Sequence, residues 1–164
     1  MATLFQTPQE IASTTIMGGN VDGDRYRFII SEVQDSVIRP LLGTELNDLI
    51  YDGATAGNLT GLYLELYTDY VKPITKNEAV AQYIEVANLR VANGGIFTHN
   101  TEAGTSALPR QIEVLANRYH SLTDSYIERF NKWIGLNNIL EYKTSQNGVN
   151  AQDVSRSIGW YLED

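Results

Sequence analysis

Apolar residues recur along this chain at steps of three and four, the spacing of one face of an α-helix. The clearest run is Tyr26, Ile29, Ile30, Val33, Val37 and Leu41, with Arg25, Arg27, Glu32 and Asp35 largely off the stripe. Asp22 and Asp24 stand near its start, where the helix dipole favours negative charge. Pro40 breaks or kinks the helix near Arg39, and Gly43 can close it. Thr44 then caps a short helix carrying Leu46, Leu49 and Ile50, and 52–58 reads as a polar, glycine-rich link. Before all this, Thr7 and Pro8 have the form of a cap and first position of a short helix.

From 59 to about 92 the pattern is helical again. Leu62, Leu66 and Tyr70 form its first stripe, Pro73 interrupts it, and Val80, Tyr83, Ile84 and Ala87 continue it. That predicts two helices or one kinked helix. The longest helix is expected at about 109–134. There Ile112, Leu115, Tyr119, Leu122, Tyr126, Phe130 and Trp133 hold one face, along a rod roughly 38 Å long.

Between these helices, 93–107 is rich in Gly, Thr, Asn and Ser around a β-prone centre at Ile96-Phe97-Thr98. It predicts an extended or β-hairpin-like excursion. The segment 139–142 is expected as a strand or a docked chain end. The tail closes on an apolar cluster, Ile158-Gly159-Trp160-Tyr161-Leu162. The expected fold is therefore all-α: a small helical bundle with one long helix, the excursion, and an extended C-terminal tail. The expected division is a helical domain over 1–136 and a C-terminal arm over 137–164. No internal repeat is visible.

Composition narrows the chemistry. The 164 residues include no cysteine, which excludes disulfides, thiolate metal sites and cysteine nucleophiles. The net charge of −8, with scattered basic residues, argues against a nucleic-acid grip, which needs a basic face. No apolar run has the length of a membrane span, and MATLFQTPQEI lacks the regions of a secretory signal.

Motif searches also fail. His99 and His120 stand on different elements, and no zinc spacing is present. Asn20-Val21-Asp22-Gly23-Asp24 misplaces the glycine that a calcium loop needs. His120, Ser121 and Asp124 are near in sequence, but adjacent helix positions do not face one another. Neither a P-loop nor a Gly-x-Ser-x-Gly elbow is found. No catalytic residue, metal or cofactor is expected, and the chain reads as a non-enzyme. Ten tyrosines suit half-buried packing or interface anchoring.

One charge pattern is uneven. No basic residue occurs between Arg39 and Lys72, yet Glu45, Asp48, Asp52, Glu65 and Asp69 all fall there. A solvated face explains it plainly. An acidic surface beside passing DNA is the functional alternative.

The stretch 22–46, with its centre Val37-Ile38-Arg39-Pro40-Leu41-Leu42-Gly43-Thr44-Glu45-Leu46, resembles phage head–tail connector proteins of the head-completion (adaptor) type. The likeness is greatest to those of tailed phages infecting Bacteroidetes, crAss-like phages among them. Tyr70-Val71-Lys72-Pro73, the excursion near Gly95 and the long helix follow in the order of that family. The resemblance covers about 20–135. It implies a structural virion protein that forms a homo-oligomeric ring, commonly of twelve copies, in the neck. Such a ring docks on the portal protein, extends the DNA channel and carries the next neck or tail protein. Genomic DNA passes through without specific binding, no membrane is involved, and the host cytoplasm is the site of assembly. Glu45, Asp48, Asp52, Glu65 and Asp69 are then candidates for the channel wall. Ile96, Phe97, Trp160, Tyr161 and Leu162 are candidates for subunit or portal contacts. A tail-proximal stopper ring and a monomeric helical binding module are the alternatives.

Overall fold

The structure, a computed structural model, describes residues 4–16, 23–87, 89–92, 95–98 and 109–142. The described part is predominantly helical. Helix α1 (Pro8–Ser13) opens with a capping box: the Thr7 side chain accepts from the Glu10 amide, and the Thr7 amide donates to the Glu10 carboxylate at 2.7 Å. Then follow α2 (Gly23–Val33), a π-helical turn (Gln34–Ile38) and α3 (Arg39–Leu42). After them come α4 (Thr44–Ala56), α5 (Gly61–Leu66), a second π turn (Tyr67–Val71) and α6 (Lys72–Val86). A hairpin of β1 (Leu89–Ala92) and β2 (Gly95–Thr98) precedes the long α7 (Pro109–Leu136).

Neither proline stops its helix: where the sequence leaves open a break or a kink at Pro40, and two helices or one kinked helix at Pro73, the helical chain continues through both. A proline lacks an amide proton, and its ring crowds the carbonyl four residues back. A π turn, bonded five residues back, moves those carbonyls aside. The Arg39 amide bonds to the Gln34 carbonyl, and the Lys72 amide to that of Tyr67. Each wide turn ends at the residue before a basic–proline pair. The chain therefore runs as two long rods, 23–42 and 61–86.

The wide turn also rotates the buried face. Tyr26, Ile29, Ile30 and Val33 are buried as expected. Beyond the turn the stripe moves from Val37 and Leu41, which are half-buried, to Gln34, Ile38 and Leu42. One extra residue per turn shifts everything downstream by about 100°.

Gly43 closes α3 at φ 77°, ψ 161° and serves as the N-cap of α4, so Thr44 is the first helical residue and not the cap. Helix α4 runs on through 52–56, which the sequence suggests is a link. At its Gly53 a Cβ would meet the Leu59 side chain, which would have to shift to admit a larger residue. The helix ends at Gly57, in the left-handed conformation.

The rod 61–86 and α7 pair antiparallel: Trp133 meets Glu65, Phe130 meets Tyr70, and His120 meets Glu78. The first rod packs on α6. One core cluster gathers Ile38, Leu42, Leu46, Ile50, Ile74 and Phe130 with their neighbours. A second joins Ile11, Tyr26, Ile30 and Val33 to Ala79 and Val80. The buried face of α7 is centred on Ala116, Thr123 and Phe130, which leaves Leu122 exposed, against expectation.

The helix expected to reach 92 ends at Val86. Antiparallel pairing takes Leu89–Ala92, in the register Leu89↔Thr98 to Ala92↔Gly95. A short apolar run fits strand and helix alike, so the excursion starts earlier than 93; 99–108 lies outside the described residues. At the other end Ile139 is buried, and Tyr142 packs edge-on to Phe130. The packed chain thus continues past 136, and the segment 139–142 is a docked end.

Candidate functional site

The structure divides the five candidate carboxylates into two sets. Glu45, Asp48 and Asp52 lie at steps of three and four on α4 and are all exposed, while Leu46, Asn47 and Ile50 bury its other side. Asp48 is 3.6 Å from Arg39 and accepts from the Asn47 amide group at 3.2 Å. Both partners of that ion pair are about half exposed, so it holds little energy. The outward face of α4 thus carries three carboxylates and one facing cation.

Glu65 and Asp69 belong elsewhere. Glu65 accepts from the indole N–H of Trp133 at 2.8 Å, and Asp69 from the Thr68 hydroxyl at 3.1 Å. Both flank Tyr70, as does Arg129. Burial raises the Tyr70 pKa, the nearby Arg129 lowers it, and the two carboxylates raise it. Glu65 thus links α5 to α7, whereas Asp69, on the second π turn, is exposed and bonds to its neighbour Thr68.

Where α4 turns into α5, an open groove of about 460 Å³ is lined by Leu49, Asp52, Ala56, Leu59 and Tyr63, among others. The Tyr63 hydroxyl donates to Glu141 at 2.8 Å, and the Tyr67 hydroxyl to the Phe5 carbonyl at 2.7 Å. These tyrosines tie both ends of the described chain to one rod.

Of the candidate contact residues, the backbone of Ile96 and Phe97 lies on β2, opposite Val91 and Arg90. Their side chains, and all of Trp160, Tyr161 and Leu162, lie outside the described residues.

His120, Ser121 and Asp124 do not assemble. The Ser121 hydroxyl donates to the Asn117 carbonyl at 2.9 Å, and Asp124 is exposed. His120 instead bridges two glutamates of α6: Nδ1 is 3.1 Å from Glu78, and Nε2 is 3.5 Å from Glu85. Gln82 donates to the other Glu78 oxygen at 3.2 Å. Glu78 is a buried carboxylate that sequence reasoning passed over. Its one signal is its place beside Ala79 and Val80 in an apolar run. Among the described residues no group of three or more His, Asp or Glu is arranged to hold a metal ion. No described helix is long and apolar enough to cross a membrane.

Apolar side chains also remain outside. Phe28 on α2 and Val114, Leu122 and Leu136 on α7 are exposed, as are Leu62 and Leu64 on α5.

Residues 38–152 match the family of unknown function DUF6712. The match spans more than half of the chain. The chain belongs to that family. Its matched segment begins at Ile38, so it contains both basic–proline pairs, the acidic helix and α7. No curated protein and no solved structure matches the chain.

Proposed function

We propose that this DUF6712 protein is a structural ring component of a phage head–tail connector. It docks on the portal protein, extends the DNA channel and offers a platform to the next neck or tail protein. The observation that carries the reading is the structural use of the two motifs behind the resemblance. Ile38-Arg39-Pro40 and Val71-Lys72-Pro73 each follow or close a π turn that keeps a long rod continuous. Continuous helical rods with exposed flanks suit an assembly part, since heterologous contacts close a ring without any chemical step.

In this reading the α4 face, Glu45, Asp48 and Asp52, lines the passage. Carboxylates there repel phosphate and let the genome slide. Glu65 and Asp69 stand on the other rod, flanking Tyr70, and are not part of that face.

The test is to mix the full chain with purified portal and measure mass and projection symmetry. A ring seated on the portal is expected. A chain that stays monomeric at high concentration, with portal and without, overturns the reading. Phage carrying Glu45→Lys, Asp48→Lys and Asp52→Lys together should eject DNA more slowly or trap it in the neck. Unchanged packaging and ejection would remove the channel assignment while leaving the ring.

A further inference from the structure

The outward side of α7 carries two unlike flanks. Val114, Arg118, Leu122, Arg129, Lys132 and Leu136 are all exposed and, with Ser125, repeat at steps of four and three. Such a repeat forms a continuous stripe on a helix. It holds three cations and three apolar side chains, and no carboxylate. Of the exposed carboxylates of α7, Glu113 and Asp124 lie on the opposite flank, about 140° round the helix from Arg118 and Arg129, while Glu128 lies between the two flanks, one turn before Lys132; Arg110 stands at the helix start.

Among the described residues, neither Arg118 and Lys132 nor those three carboxylates make an ion pair, and Arg129 lies over the Tyr126 ring at 5.0 Å. The two flanks are in register with each other. Arg118 follows Glu113 by five positions, and Arg129 follows Asp124 by five. Two parallel copies of α7, one shifted along the axis by five residues or about 7.5 Å, therefore set Arg118 and Arg129 opposite Glu113 and Asp124 of the neighbour.

We propose that successive copies of this chain join through α7, the basic and apolar flank of one copy against the acidic flank of the next. The proposal rests on the ring reading and names the seam of that ring. The contact is heterologous, so each copy keeps one flank free until the ring closes.

The size of the contact adds a condition. Twenty-eight residues give a helix about 42 Å long. A strip about 10 Å wide then buries roughly 800 Å² over both partners, below the range of stable complexes. The seam is weak by itself and closes on a template that gathers the copies. Charge pairing at its rim also makes it sensitive to salt.

Three full-length variants test this on the portal, with ring occupancy read by native mass spectrometry and particle images. The first reverses the basic flank (Arg118→Glu, Arg129→Glu). The second reverses the acidic flank (Glu113→Lys, Asp124→Lys). The third carries all four changes. Each single-flank variant should lose ring occupancy about tenfold or more. The four-fold variant should recover to near wild type, and the two single-flank variants mixed together should form alternating rings. Melting curves confirm that each variant folds, the positions being exposed.

A ring unaffected by the single-flank reversals overturns the seam and leaves the ring standing. Loss without rescue also overturns it, and points to portal or DNA as the occupant of the basic flank. A wild-type chain that forms no ring on the portal overturns the ring reading and the seam with it.

Discussion

Tyr26 is fully buried, and its hydroxyl has no hydrogen-bond partner in the structure. Its ring is held edge-on by Tyr83 at 5.1 Å. Burial, with Tyr119 and Tyr83 nearby, raises its pKa above the ordinary 10. A buried hydroxyl without a bond is destabilising, so Tyr26→Phe should stabilise the fold by about 1 kcal/mol. The pH dependence has a definite sign. In the unfolded chain Tyr26 ionises around pH 10, while in the fold it keeps its proton. Its ionisation therefore leaves the stability of the fold unchanged below pH 10 and lowers it as the pH rises beyond that. Denaturant titrations at pH 8 and pH 11 should show a smaller alkaline loss for Tyr26→Phe than for wild type. Equal losses would mean that Tyr26 ionises in the folded state as it does in the unfolded one. Glu78 is the other unusual interior group. Its carboxylate is 2% exposed and is held by His120 and Gln82. Removing one partner of a buried charge costs more than the pair is worth. His120→Ala should therefore cost about 2 kcal/mol, and markedly less when Glu78 is already Gln. A double-mutant cycle by chemical denaturation measures that difference, and zero coupling would show that the contact carries no energy.

At the scale of elements, Gly43 is the joint between the first rod and α4. Its φ of 77° and ψ of 161° lie in a region that essentially only glycine occupies. Gly43→Ala should cost about 1–3 kcal/mol, read as a lower denaturation midpoint at constant slope. A loss of only a few tenths would show that the turn relaxes. Helix existence was legible in the spacing of apolar residues, because a one-sided core demands that spacing whatever the partner. The long α7, the start of the first rod and the cap at Thr7 all follow from local pattern. Continuity through Pro40 and Pro73 was not legible. A proline is compatible with a break, a kink or a π turn, and the choice depends on whether packing rewards one extra residue. Here it moves Ile38 and Leu42 into the core shared with Leu46 and Phe130. The end of α4 escaped for a similar reason: Gly53 has the composition of a link, yet it lies within the helix beside the Leu59 side chain.

For the whole molecule, the acidic segment between Arg39 and Lys72 was visible as composition, but its division was not. Charge runs carry no record of orientation, so nothing in the sequence tells Glu65, bonded to Trp133, from Asp52, which faces solvent. Where 139–142 docks was not legible either, since no periodicity joins it to helices far away in sequence. Yet Ile139 is 3% exposed in the core, Tyr142 packs on Phe130, and Glu141 accepts from Tyr63. That closure gives a direct comparison of two truncated chains. Both lack everything beyond 142, and the shorter also lacks 137–142. Burying a side chain such as Ile139 contributes about 1.5–3 kcal/mol. With the ring of Tyr142 and the Tyr63 bond, the six residues should contribute roughly 3 kcal/mol. At 2–4 °C per kcal/mol for a domain near this size, the shorter chain should melt about 10 °C lower. Its near-ultraviolet dichroism should weaken as well, because Phe130 loses the Tyr142 ring packed against it. Equal melting temperatures would place the stabilising core wholly within 4–136 and return 137–142 to the arm. A gap of the expected size fixes the base from which the rest of the chain departs at Tyr142, against Phe130 at the same end of α7 as Lys132 and Leu136.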